Sequence, residues 1–133
     1  MLISIPKEDP KVELRVPMLP QNVEKLVKKG GKVSVEAGLG ETLGIKDNEY
    51  KKAGASVEKN RKKLLSKADI VLRLRKPDLK EIARLKKGSL HISYLDPFNE
   101  KKLLTAFAKR HVSAISMEMI PRSTRAQKLD ALS

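Results

Sequence analysis

Cysteine is absent from this chain, so disulfides and thiolate metal sites are excluded. That absence fits a reducing compartment, and a cytoplasmic location is the expectation. Tryptophan is absent too, and two tyrosines (Tyr50, Tyr94) and two phenylalanines (Phe98, Phe107) are the whole aromatic complement. So sparse a set argues against a base-stacking platform for nucleic acid. The two histidines, His91 and His111, do not by themselves make up a usual zinc site, and no metal is expected. No apolar run approaches the roughly 18 residues of a membrane span. Met1-Leu-Ile-Ser-Ile-Pro6 runs directly into charged residues, so no secretory leader is expected either.

What the chain has in excess is positive charge. Its 133 residues carry 29 Lys plus Arg against 16 Asp plus Glu, a formal net charge of +13. Such a balance invites a nucleic-acid or acidic-membrane reading. The lysines are distributed against it: Lys28-Lys29, Lys51-Lys52, Lys62-Lys63, Lys86-Lys87 and Lys101-Lys102 recur on successive predicted helices. That pattern describes solvated outer faces rather than one basic patch, so neither nucleic acid nor direct membrane insertion is expected. A basic nucleic-acid module is the least favoured of three functional readings.

Read in order, strand and helix alternate. Leu2–Ile5 is a strand stopped by Pro6. Pro20 opens a helix with an apolar stripe at Val23, Leu26 and Val27, and Gly30-Gly31 ends it. Residues 32–36 form the second strand. The following Ala37-Gly-Leu-Gly-Glu41 lacks the G-x-G-x-x-G spacing of a phosphate loop and reads as a tight turn needing positive φ. Asp47 is the expected cap of a short helix to Lys52. A brief strand at 55–57, a basic helix over 58–67 and a strand at 69–74 follow. Asp78 caps a helix to about Lys87, then come a strand at 89–95, a helix capped by Asn99 with Leu103, Leu104, Phe107 and Ala108 inward, and a last strand at 112–120. Alternation of this kind predicts one α/β domain spanning 1–133: a three-layer, Rossmann-like or flavodoxin-like parallel sheet with helices on both faces.

The last strand stops at Pro121, and a dense polar cluster follows: Arg122, Ser123, Thr124, Arg125, Gln127, Asp130 and Ser133. In an open parallel sheet, ligands bind at the carboxyl ends of the strands. The pattern Met-Glu-x-Ile-Pro-Arg-x-x-Arg-Ala-Gln-x-Leu-Asp-x-Leu-Ser resembles a loop of the proton-translocating nicotinamide nucleotide transhydrogenase alpha subunits, a family shared with the alanine dehydrogenases. The resemblance extends over the whole chain, through Ile3-x-Ile5-Pro6, Arg15-Val16, Tyr50-x-x-Ala53-Gly54-Ala55, Asp69-Ile-Val-Leu72 and Lys76-Pro77.

The resemblance implies that Arg122, Gln127 and Asp130, with Ser133 as a fourth contact, hold the nicotinamide end of NAD(H) while hydride passes to NADP+ on another domain. From the residues alone, Asp130 reads equally as a helix cap or a partner of Lys128 or Arg125. The resemblance further implies a second, Rossmann-type NAD-binding domain, absent from this chain, and NADP-binding and membrane domains as partners. The full complex would place the chain at the inner face of a membrane. By itself the chain is expected to be inactive.

An alanine dehydrogenase-like reading assigns Arg15 to a substrate carboxylate. It meets Arg75 where the family has a lysine, and Tyr94-Leu95-Asp96 where it has a histidine. Arginine is not an equivalent of lysine at such a site. Arg15 and Arg75 read as readily as structural ion pairs with Glu13 or Glu8.

Overall fold

The computed structural model describes residues 1–120. Six strands form one sheet: β1 (Leu2–Ile5), β2 (Lys32–Glu36), β3 (Ser56–Glu58), β4 (Ile70–Arg75), β5 (Leu90–Tyr94) and β6 (Ser113–Ser116). All neighbours pair in parallel, in the order β3-β2-β1-β4-β5-β6. This is the doubly wound Rossmann order, in which the winding reverses between β1 and β4. Five helices connect the strands: α1 (Pro20–Lys28), α2 (Asp47–Lys52), α3 (Arg61–Lys67), α4 (Leu79–Ile82) and α5 (Lys101–Arg110). Helices α1 and α2 pack on β2 and β3, α3 on β1 and β2, and α5 on β6. The expected three-layer architecture is therefore what the chain forms.

Register sorts the side chains onto two unlike faces, because successive strand residues point to opposite sides. On the α1–α2 side lie aliphatic rows. Val33, Ile3, Ile70 and Leu90 make one and Leu72, Ile92 and Ile115 another. Val23 and Leu26 of α1 and Tyr50 of α2 close the core over β1–β3. Tyr50 is fully buried, and its hydroxyl donates to the Met18 carbonyl at 2.8 Å, tying α2 to the loop before α1. Burial pushes its pKa up to about 12. On the opposite side the middle row runs Ser56, Ser34, Ser4, Val71, His91, Ala114. There Leu65, Ile82, Leu85, Leu103 and Phe107 form the second core.

Several predicted boundaries shift. The last strand, expected over 112–120, is only Ser113–Ser116 and ends in a 3-10 turn, Met117–Met119. Its final ladder pair is Ser93 with Ser116. There the Ser116 hydroxyl donates to Glu118 at 2.8 Å and turns the chain across the end of β5. Helix α4 stops at Ile82 rather than near Lys87. Beyond it Arg84 and Leu85 bond back three residues, and Ile82 and Leu85 are both buried at that spacing. Helix α5 begins after Glu100: the backbone N–H groups of Asn99 and Glu100 turn back onto the Asp96 carbonyl, and Asn99 donates its side-chain NH2 to the Asp96 carboxylate rather than standing at the cap position. Leu103 and Phe107 point inward as expected, while Leu104 and Ala108 are exposed. Asp47 is the first residue of α2, not its cap. Its carboxylate accepts the Gly38 N–H at 2.9 Å. Gly38 sits at φ +84, so the glycine segment is the tight turn expected of it. All ten lysines of the five pairs are exposed.

His91 has its Nε2 2.9 Å from Ser93 Oγ, its Nδ1 without a partner, and its ring 4.9 Å from that of Phe107. Burial, aided by the charge of Arg73, pushes the imidazole from its ordinary 6.5 down to about 3. The unfolded chain therefore takes up a proton near pH 6.5 that the folded chain refuses, and stability falls as pH drops below that value. Between pH 7 and pH 5 the linked loss is about 2 kcal/mol. Urea unfolding at both pH values should show that loss in the parent chain and its near absence in His91→Gln. Equal slopes in the two proteins would assign the acid sensitivity elsewhere.

Candidate functional site

At the reversal between β1 and β4, two loops diverge and leave a cleft of about 520 Å³. Its walls are Glu13 and Arg15 from the β1–α1 loop, Leu74, Arg75 and Lys76 at the end of β4, Tyr94 and Asp96 at the end of β5, and Glu118 beyond β6. This is the carboxyl edge of the sheet, where a doubly wound fold binds ligands.

Two buried carboxylates build the cleft. Glu8 accepts the backbone N–H of Leu74 at 2.7 Å and of Arg75 at 3.0 Å, with Arg73 Nη2 at 3.4 Å. It thereby fastens the β1–α1 loop to the end of β4. Glu13 accepts Nε and Nη2 of Arg15, both at 2.9 Å, and pairs with Nε of Arg75 at 3.2 Å. The Arg15 hydrogen bond, with Arg75 adding its charge, holds the Glu13 carboxyl down to about 2. The ion pairing considered for Arg15 and Arg75 is thus realised, and the shared partner is Glu13. Arg75 also donates to the Val12 carbonyl at 3.0 Å. Pairing does not exhaust Arg15: its side chain is 70% exposed and a guanidinium carries five N–H donors.

The far wall is made by the turn after β6. Glu118 takes the Asp96 N–H at 2.8 Å. Asp96 itself adopts φ +52, in the left-handed region, and receives Asn99 on its carboxylate. Lys76 pairs with Glu100. Among the described residues lining the cleft, three cations, Arg15, Arg75 and Lys76, stand with three carboxylates, Glu13, Asp96 and Glu118. A cleft so balanced suits a neutral or singly charged polar group better than a polyphosphate. His91 lies elsewhere, buried in the sheet. Among the described residues no group of three His, Cys, Asp or Glu could hold a metal ion.

Of the residues singled out in the sequence, Arg15 and Arg75 meet in this cleft. Arg122, Gln127, Asp130 and Ser133 lie outside the described residues, which end two positions after Glu118. Sequence reasoning missed Glu13 and Glu118 as cleft walls. Glu118 stood inside the motif already singled out, and its signal was the glutamate one residue after the short final strand and its buried Met117.

Strand order and cleft position define an open, doubly wound parallel α/β domain with a polar site at its switch point. Within that class, residues 4–133 match the family described as alanine dehydrogenase/PNT, N-terminal domain, and the chain belongs to that family. It is 37% identical over 133 residues to the NAD(P) transhydrogenase subunit alpha of Cereibacter sphaeroides, covering 100% of this chain and 25% of that protein. A crystal structure of transhydrogenase from Sinorhizobium meliloti superposes with a TM-score of 0.85 at 36% identity, covering 99% of this chain and 39% of that one. A solved L-alanine dehydrogenase follows at TM-score 0.81 and 29% identity, covering 87% and 32%. The chain thus spans between a quarter and two fifths of the length of these relatives. No helix among the described residues is long and apolar enough to cross a membrane.

Glu8 and the exposed Arg15 should separate cleanly on mutation. Removing Glu8 leaves Arg73 short of a buried partner and frees two N–H groups. Glu8→Ala should cost about 3 kcal/mol in urea unfolding. Arg15→Ala removes an exposed side chain and leaves the buried Glu13 carboxylate the Nε of Arg75 and the backbone N–H of residue 15, so it should cost about 1 kcal/mol, well below Glu8→Ala. Similar costs at the two positions would contradict the division between frame and site.

Proposed function

We propose that this chain is the first domain of an NAD(P) transhydrogenase alpha subunit, and that it orients the nicotinamide of NAD(H) for hydride transfer to NADP+. The observation that carries the reading is the family match over residues 4–133 together with a charge-balanced cleft at the switch point. Bound NAD(H) supplies the hydride. The chain's own residues position and exclude. Arg122 anchors through its fixed fork of donors, Gln127 donates to and accepts from the carboxamide, Asp130 accepts its NH2, and Ser133 adds a fourth contact. Arg15 offers unused donors at the opposite wall. None of these groups moves a proton, which suits a transfer needing alignment rather than acid–base chemistry. The adenosine and pyrophosphate ends are assigned to a second, Rossmann-type domain. Coupling to proton translocation is assigned to NADP-binding and membrane domains of a complex at the inner face of a membrane.

Oxidation of a small amino acid is the second reading. The exposure of Arg15 in the cleft favours it, as a carboxylate site. Arg75, which cannot serve as lysine does, and a cleft wall without histidine weigh against it.

In a complete subunit and complex containing this chain, Arg122→Ala should slow NADH-to-NADP+ hydride transfer at least tenfold with an unchanged melting temperature. The 133-residue chain alone should show no transfer, and calorimetric titration with NADH should give no binding tighter than millimolar. A few exposed hydrogen bonds of about 1 kcal/mol each do not offset the entropy of association. Micromolar affinity, or a variant that loses stability while keeping its rate, would refute the placement.

A further inference from the structure

Among the described residues, two that are not glycine stand at positive φ, Asp96 at +52 and His111 at +60. His111 ends α5, a common place for a left-handed residue. Asp96 ends no helix. It follows β5 and lines the cleft. A left-handed residue with a side chain persists where its surroundings hold it, and such residues gather at functional sites. What holds Asp96 is the end of β6. The ladder of β5 with β6 stops at Ser93 and Ser116. Beyond it, side chains replace the strand as acceptors. The Ser116 hydroxyl takes the Leu95 N–H at 3.3 Å, and Glu118 takes the Asp96 N–H at 2.8 Å. The same hydroxyl donates to the other Glu118 oxygen at 2.8 Å. Met117, buried beside Glu118, anchors the turn that carries it. From the other side, the Asp96 carbonyl accepts the N–H groups of Asn99 and Glu100, and both its carboxylate oxygens receive the Asn99 side-chain NH2.

We propose that Glu118 is a positioning residue of the cleft: it holds Asp96 in its left-handed conformation, and the backbone so fixed sets the wall against which the nicotinamide lies. The inference rests on the reading of this cleft as the site of the nicotinamide end. Two features carry it. Both Glu118 oxygens are engaged within the protein, so the side chain serves geometry rather than charge. The residue it holds has its own carboxylate engaged by Asn99, so what Asp96 gives the cleft is its conformation. Hydride transfer depends steeply on alignment, and a displaced wall lowers the rate before it lowers binding.

Two pairs of variants separate geometry from charge. Glu118→Gln keeps both contacts, since its amide oxygen accepts the Asp96 N–H and its NH2 donates to the Ser116 hydroxyl; Glu118→Ala keeps neither. Asp96→Asn and Asp96→Val both remove the carboxylate, but asparagine adopts a left-handed backbone and a β-branched residue resists it. In the 133-residue chain, exchange of the residue 96 amide proton should quicken at least tenfold in Glu118→Ala and stay within threefold of the parent in Glu118→Gln. In a complete subunit and complex containing this chain, the hydride transfer rate per bound NADH should fall at least tenfold in Glu118→Ala and Asp96→Val, with KM for NADH within threefold of the parent. Glu118→Gln and Asp96→Asn should keep at least a third of the parent rate. Equal losses within either pair would overturn the proposal, because charge and not conformation would then be at work. A raised KM with the rate kept would overturn it too, as would amide exchange at residue 96 indifferent to Glu118. If Glu118→Ala does not fold, the Asp96 pair decides alone. A parent complex that transfers no hydride, with the exchange pattern as expected, would instead refute the nicotinamide reading and leave the Glu118 clamp standing.

Discussion

A file of five charges crosses the polar side of the sheet, and the cleft depends on it. Glu36 at the end of β2 meets Arg61, which opens α3. Arg61 Nε reaches Glu81 of α4 at 2.7 Å, and Glu81 holds Arg73 of β4 at 3.0 Å. Arg73 meets Glu8 of the β1–α1 loop at 3.4 Å. Three carboxylates against two guanidinium groups leave one negative charge over, and backbone donors absorb it: Lys7 N–H on Glu36, and Leu74 and Arg75 N–H on Glu8. Burying such a chain costs desolvation that its pairing only roughly offsets, and an aliphatic patch of similar volume is often as stable. What the file contributes is position. It locks the loop after β1 to the end of β4 across the one gap in the sheet that no crossover helix spans directly, and so sets where Glu13 and Arg15 stand.

How much of this could be read from sequence depended on how local the cause was. Six strands and five helices were legible because proline, glycine and apolar period act within a few residues. Pro20 opened α1, and Gly30, at φ +95, closed it. Boundaries failed where a side chain's partner lay far away. Asn99 looks like a cap until Asp96, turned to positive φ, takes its amide. Met117 looks like one more strand residue, yet the ladder ends at Ser116, whose hydroxyl donates to Glu118. The charge file was invisible for the same reason. Glu8 and Arg73 are 65 residues apart, and only strand order brings them together. For the cleft, residue chemistry alone left Arg15 and Arg75 divided between ligand and ion pair. Topology resolved the ion pair by placing both on Glu13.

The cleft's electrostatics differ from those of the molecule around it. The surface is strongly basic, yet at the switch point three cations are matched by three carboxylates. Glu13, held near pKa 2, keeps its charge throughout the physiological range. Its two arginines therefore keep a charged partner throughout that range. A site of this kind steers nothing over long distances. Its donors and acceptors are suited to a polar, nearly neutral group.

That division of labour explains why the two faces of the sheet differ so sharply. The face bearing Ser4, Ser34, His91 and the charge file is covered by helices that belong to the described domain, so the carboxylates and guanidinium groups there find partners even though Ser4 Oγ, His91 Nδ1 and Arg73 Nε do not. Among the described residues no helix covers the aliphatic face over β5 and β6, where Leu90, Ile92 and Ile115 stand without charged neighbours in their rows. The cleft wall formed by Tyr94 and Glu118 lies at the end of those same strands.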